Sequence, residues 1–163
     1  MKLALGVGAV LVLAAVSTSS TPAGGPLLCS ARTLSARAGL QGSAGALEGG
    51  VTVTNRRPYP CTLSGRPGVV FLRGGSGLRV QKVSGPSSTG QRDPRTFVLL
   101  PGEKAFARLR WSNWCGKRYS YVGLILTLRT NQPRLIVDGT ASTPPCLKRT
   151  AGSVVSVGPW ESR

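Results

Sequence analysis

Between positions 109 and 119 the sequence reads LRWSNWCGKRY, placing two tryptophans, a cysteine, Arg110, Lys117 and Arg118 within eleven residues. A tryptophan beside cations can hold a sugar face or a headgroup, or stack on a guanidinium. The same residues can equally end a β-strand and cover a disulfide. The preceding stretch, AFARLRW (105–111), separates these roles by its period of two. Ala105, Ala107, Leu109 and Trp111 share one face; Phe106, Arg108 and Arg110 share the other. Trp111 therefore belongs to the core, and Trp114, Lys117, Arg118 and Tyr119 form the candidate loop surface. Arg79 and Lys82 alternate around Val80 in LRVQKV (78–83). If that strand neighbours the one bearing Arg108 and Arg110, one sheet face carries a positive patch.

Catalytic chemistry finds little support. With no histidine, Ser-His-Asp and Cys-His arrangements are excluded. The five acids, Glu48, Asp93, Glu103, Asp138 and Glu161, are scattered, with no local sign of the facing carboxylates of a glycosidase. RGGSG (73–77) lacks the Lys-Ser/Thr ending of a phosphate loop and reads as a hairpin turn. The cysteines are widely spaced, with no C-x2-C pair, so no metal site is expected. No cofactor and no catalytic residue is expected either; a small hydrolase with a lysine- or carboxylate-based site is the remaining catalytic alternative.

The charge is one-sided. Twenty-one basic residues face five acids in 163 residues, a formal net charge of +16. They cannot pair off, so the surface carries a positive field that attracts anionic polymers, lipid headgroups or acidic protein faces. Aromatic residues make up only 6%, too few to interleave with cations as in single-strand nucleic-acid binders.

Lys2, an apolar run from Leu3 to Val16 and small residues from Ser17 to Thr21 have the order of a secretory signal peptide. The run falls short of the about 20 apolar residues of a membrane-spanning helix. Cleavage is expected after Ser17 or Ala23. The organisation expected is a signal peptide over 1–23, a linker over 24–28 and one domain over 29–160, exported, with no later transmembrane segment. Leu28 directly before Cys29 spoils a lipidation box. In an oxidising compartment four cysteines give two bridges most simply.

Short runs rich in Val, Leu, Ile and Thr, separated by turn formers, dictate the elements that must position these residues. The strands expected are TLSARAGL (33–40), VTVTN (51–55), GVVFLRG (68–74), LRVQKV (78–83), RTFVLL (95–100), AFARLRW (105–111), LILTLRT (124–130), PRLIVDG (133–139) and SVVSVG (153–158). Turns are expected at EGG (48–50), RGGSG and Asn131-Gln132-Pro133, among others. No stretch holds helical periodicity, and many short strands with regular turns indicate an all-β sandwich or barrel. Cys29 precedes the first strand and Cys61 follows the second, so antiparallel pairing brings them together. Cys115 and Cys146 flank the later hairpin in the same way. The expected bridges are Cys29–Cys61 and Cys115–Cys146, each closing roughly thirty residues and contributing about 3–4 kcal/mol on the chain-entropy account.

An early cysteine, VTVTNRRPYPCTLSGRPGV, then FVLLPGEKAFARLRWSN, a cysteine, a hairpin, another cysteine and VVSVGP follow one another from Cys29 to Pro159. This order resembles DUF4232, a family of secreted or lipid-anchored actinobacterial domains of unknown function. The resemblance implies an immunoglobulin-like antiparallel β-sandwich with two disulfides and carries over no catalytic residue. The expected function is an exported, non-catalytic module, secreted or retained at the cell wall, that docks basic residues on anionic envelope polymer or lipid headgroups. The alternative is a protein–protein adhesion module.

Overall fold

The computed structural model describes residues 27–91, 95–128 and 134–163; the expected signal peptide and the turn at Asn131-Gln132-Pro133 lie outside them. Twelve strands follow in order: β1 (Leu27–Leu28), β2 (Leu34–Ser43), β3 (Ala46–Asn55), β4 (Cys61–Ser64), β5 (Gly68–Arg73), β6 (Ser76–Gly77), β7 (Gln81–Ser84), β8 (Thr96–Leu99), β9 (Lys104–Ser112), β10 (Val122–Thr127), β11 (Leu135–Ala141) and β12 (Val154–Ser162). The fold is an immunoglobulin-like β-sandwich. One layer is β2-β3-β9-β12-β7 and the facing layer is β6-β5-β10-β11, joined by a single parallel bridge between Arg37 of β2 and Asp138 of β11. A three-stranded sheet, β1-β4-β8, closes one side.

The period-two pattern accounts for the core. In β9, Ala105, Ala107, Leu109 and Trp111 are all fully buried. They meet Val69 and Phe71 of β5 and Leu124 and Leu126 of β10 across the sandwich. The Trp111 indole stacks on the Phe71 ring at 4.1 Å between centroids and 19° between planes. Its N–H donates to Ser153 Oγ at 2.9 Å, so the one polar atom of the ring is satisfied inside the core. Burying two aromatic rings in contact adds about 0.5–1.5 kcal/mol beyond the area removed from water.

Both disulfides join the expected partners. Cys29–Cys61 spans 32 positions and Cys115–Cys146 spans 31, with Cα separations of 4.9 and 4.6 Å. The antiparallel β2–β3 and β10–β11 hairpins bring each pair together.

Three local expectations need correction. EGG (48–50) is not a turn: Glu48, Gly49 and Gly50 lie inside β3, and the β2–β3 turn is Ala44-Gly45. Both turn residues have positive φ, 34° and 81°, as a tight two-residue hairpin requires. Gly50 is needed for another reason. A Cβ there would collide with the Phe106 ring and the Ala107 carbonyl oxygen, so its absence lets that ring lie flat on β3. LRVQKV does not form a strand from residue 78; β7 begins at Gln81, leaving Arg79 outside it. Finally, the strand expected at 153–158 continues to Ser162 through a bulge between Val157 and Trp160. Gly158 and Pro159 mimic a turn in sequence, yet both are buried where the bulge absorbs them.

Candidate functional site

The outer face of the β2-β3-β9-β12 layer gathers the polar members of four alternating strands. Ser35 of β2 lies in register with Thr54 of β3, and Thr54 with Lys104 of β9. One step along, Arg37 is in register with Thr52, and Thr52 with Phe106. Further along, Glu48 of β3 pairs with Arg110 of β9, and Arg110 with Ser156 of β12. Because all these positions alternate with core residues, the same hydrophobic pattern that builds the sandwich aims them outward.

At one end of this face lies an open groove of about 650 Å³, lined by Ser35, Ala36, Arg37, Thr52, Thr54, Arg56, Gly102, Lys104 and Arg163. Four exposed cations and three hydroxyls converge there, and none of the lining residues is acidic. Arg56 Nε donates to Ser35 Oγ at 2.9 Å, which orients the guanidinium along the groove. The Arg163 backbone N–H donates to the Lys104 carbonyl oxygen at 3.1 Å, extending the β9–β12 ladder by one residue. The Arg163 guanidinium carbon sits 4.3 Å above the Phe106 ring centroid. Gly50, Phe106 and Arg163 stack along a second, shallow groove that runs past Gly39 and Gly49 and shares Arg37, Thr52 and Arg163 with the first.

The neighbouring carboxylates are already engaged. Glu48 accepts from Arg110 Nε at 2.8 Å and from Arg108 at 3.3 Å. Glu161 accepts from the Ser88 N–H and hydroxyl at 3.1 and 2.8 Å. Glu103 accepts the Leu100 N–H at 2.8 Å inside its own turn. The ion pairs of this face are those of Glu48 with Arg108 and Arg110, and Arg37, Arg56, Lys104 and Arg163 take part in neither.

The structure separates the residues singled out from sequence. Arg108 and Arg110 share the outer face and the same carboxylate, and with Pro86 and Ser156 they line a groove of about 280 Å³. Lys82 is in register with Val155 and, through it, with Trp111, so it alternates away from that face; β12 lies between β7 and β9. Arg79 is exposed in the segment before β7. Trp114, Lys117, Arg118 and Tyr119 follow the far end of β9, roughly 27 Å along the strand from Lys104 at about 3.4 Å per residue. Trp114 is half-buried: its ring meets Trp111 edge-on at 5.8 Å, and its N–H donates to the Lys117 carbonyl oxygen at 2.7 Å. Tyr119 packs against the core with the Arg73 guanidinium 5.4 Å from its ring centroid, while Lys117 and Arg118 are exposed.

Sequence reasoning missed the groove itself. Arg37, Arg56, Lys104 and Arg163 lie in four separate segments, and only the strand order β2-β3-β9-β12 juxtaposes them. It also missed Asn113, a buried residue at φ 59° that holds the segment after Cys146. Its Nδ2 donates to the carbonyl oxygens of Lys148 and Ala151 at 2.9 and 2.6 Å. Its Oδ1 accepts the N–H groups of Leu147 and Lys148 at 2.9 and 2.8 Å. The available signal was an asparagine between a strand end and a cysteine, one of the non-glycine residues most often found in left-handed backbone.

A sandwich stapled by two disulfides, with a cationic groove on its outer face, defines an exclusively β domain. The chain belongs to the family described as Domain of unknown function (DUF4232), whose profile matches residues 29–161. No curated protein and no solved structure matches it. Among the described residues, no helix is long and apolar enough to cross a membrane.

Proposed function

We propose that this domain is an exported, non-catalytic binding module that docks the basic outer face of its β2-β3-β9-β12 layer on anionic polymer at the cell envelope. One observation carries the reading. Arg37, Arg56, Lys104, Arg108, Arg110 and Arg163 share a face whose two carboxylates, Glu48 and Glu161, are already bonded within the protein. Arg37, Arg56, Lys104 and Arg163 meet a polyanion without breaking the Glu48 ion pairs that hold Arg108 and Arg110, which favours long-range attraction and fast encounter. Export is supported by the leader-like residues 1–23 and by the pairing of all four cysteines.

The test is binding of the mature domain to isolated cell walls, with and without their anionic polymers, across a salt series. Docking through charge requires binding that disappears on stripping and falls steeply between about 50 and 300 mM salt. Salt-insensitive binding would point instead to a packed protein interface. That second reading has its own observation: Val70, Ile125 and Ile136 form an outward apolar row across β5-β10-β11, with Ile136 76% exposed.

A further inference from the structure

We infer that the groove formed by Ser35, Arg37, Thr52, Thr54, Arg56, Lys104 and Arg163 binds the phosphodiester groups of a polymer; the assignment rests on the polyanion-docking reading and locates it. Three of the four cations are arginines, whose planar fork matches the oxygens of a phosphate two at a time. The hydroxyls of Ser35, Thr52 and Thr54 alternate with them and supply short donors to the oxygens that a guanidinium leaves free. Arg56 is already oriented by Ser35, and Arg163 by the Phe106 ring, so little side-chain freedom is lost on binding.

The layout favours a repeating ligand over a single ion. The row containing Ser35, Thr54 and Lys104 and the row containing Arg37 and Thr52 are two residues apart along each strand, about 7 Å. A polymer running along the strands presents successive charges to successive rows, and the shallow groove past Gly39 and Gly49 continues the track beyond Arg163. A bilayer is a poorer match. Ala36 is the most apolar side chain in the groove lining and the neighbouring Phe106 ring is capped by Arg163, so the groove itself offers no apolar group to lipid, and the exposed Tyr59 and Leu100 lie outside that lining.

The test uses the mature domain and a synthetic six-unit glycerol-phosphate oligomer, read by calorimetry at 50 mM salt. Arg37→Gln/Lys104→Gln is compared with Arg79→Gln/Lys82→Gln, an equal charge change on exposed residues outside the groove. Urea unfolding confirms that both fold. The groove pair should weaken binding about tenfold or more and the control pair about twofold or less. Equal losses in both pairs would overturn the groove while leaving polyanion docking intact. Equal affinity for a poly-glutamate of the same charge would overturn the phosphodiester assignment. Tighter binding to vesicles containing anionic phospholipid would overturn the polymer in favour of a membrane. Failure of the oligomer together with failure to bind isolated walls would remove the docking reading itself.

Discussion

Asn113→Ala tests how the Trp114 loop and the segment after Cys146 are held. Asn113 is 8% exposed and links the end of β9 to residues 147–151 through two donated and two accepted hydrogen bonds of 2.6–2.9 Å, with a longer Nδ2 contact of 3.3 Å to the Gly152 carbonyl oxygen. Truncation leaves two N–H groups and two carbonyls without this partner. Water reaches part of the exposed segment, so the loss is nearer to two unsatisfied groups than four, about 2–3 kcal/mol. Alanine also meets a backbone at φ 59°, costing about 1 kcal/mol more. The expected total is about 3–4 kcal/mol by urea unfolding with disulfides intact and an unchanged m-value. Asn113→Gly removes the same hydrogen bonds but accepts the left-handed backbone, so it should lose about 1 kcal/mol less. Asn113→Asp keeps the two acceptors and turns an oxygen toward the Lys148 and Ala151 carbonyls, so Leu147 and Lys148 amides should stay better protected from hydrogen exchange than in Asn113→Ala. If Asn113→Ala falls within about 0.5 kcal/mol of the parent, the Cys115–Cys146 bridge alone holds the segment and the reasoning fails.

Three further substitutions probe the outer face and the loop. Glu48→Gln releases Arg108 and Arg110, and should tighten polyanion binding about threefold at low salt while changing stability by less than about 1 kcal/mol. Weaker binding to the oligomer would show that Glu48 organises the two arginines rather than neutralising them. Gly50→Ala drives a methyl group into the Phe106 ring and the Ala107 carbonyl, and should lose about 1–3 kcal/mol with a shift of the Arg163 resonances. An unshifted Arg163 would separate the guanidinium from the ring. Trp114→Ala removes a half-buried ring lying edge-on to Trp111, and should lower the melting temperature while leaving oligomer binding within about twofold. Lost binding at unchanged stability would return that loop to the ligand surface.

What was legible in the sequence was local periodicity and the pairings that follow from it. Alternation in residues 105–111 assigned Trp111 to the core and Arg108 and Arg110 to the opposite face, and both strands and bridges of the two hairpins followed from adjacent segments. Gly49 and Gly50 misled because glycine serves both turns and close approach, and only their neighbours in the sheet, the Gly39 carbonyl for Gly49 and the Phe106 ring for Gly50, reveal which applies. Strand order was hidden for a deeper reason. Whether β7 neighbours β9 or β12 depends on contacts between distant segments, and without that order Lys82 could not be separated from Arg110 nor Arg37 joined to Lys104.

The bulged final strand has a kinetic consequence. Arg37 and Arg163 stand 126 positions apart, and Arg163 reaches the groove only when β12 has inserted between β9 and β7. Such non-local pairing forms late, because loop closure must precede the contacts that reward it. A chain with β12 undocked would therefore lack the Arg163 contribution to the groove. A polyanion that grips the completed groove binds the native chain in preference to that half-assembled one, and so shifts the population toward full docking of β12. On the docking reading proposed above, an anionic polymer would then act as a template that traps the chain in its finished form.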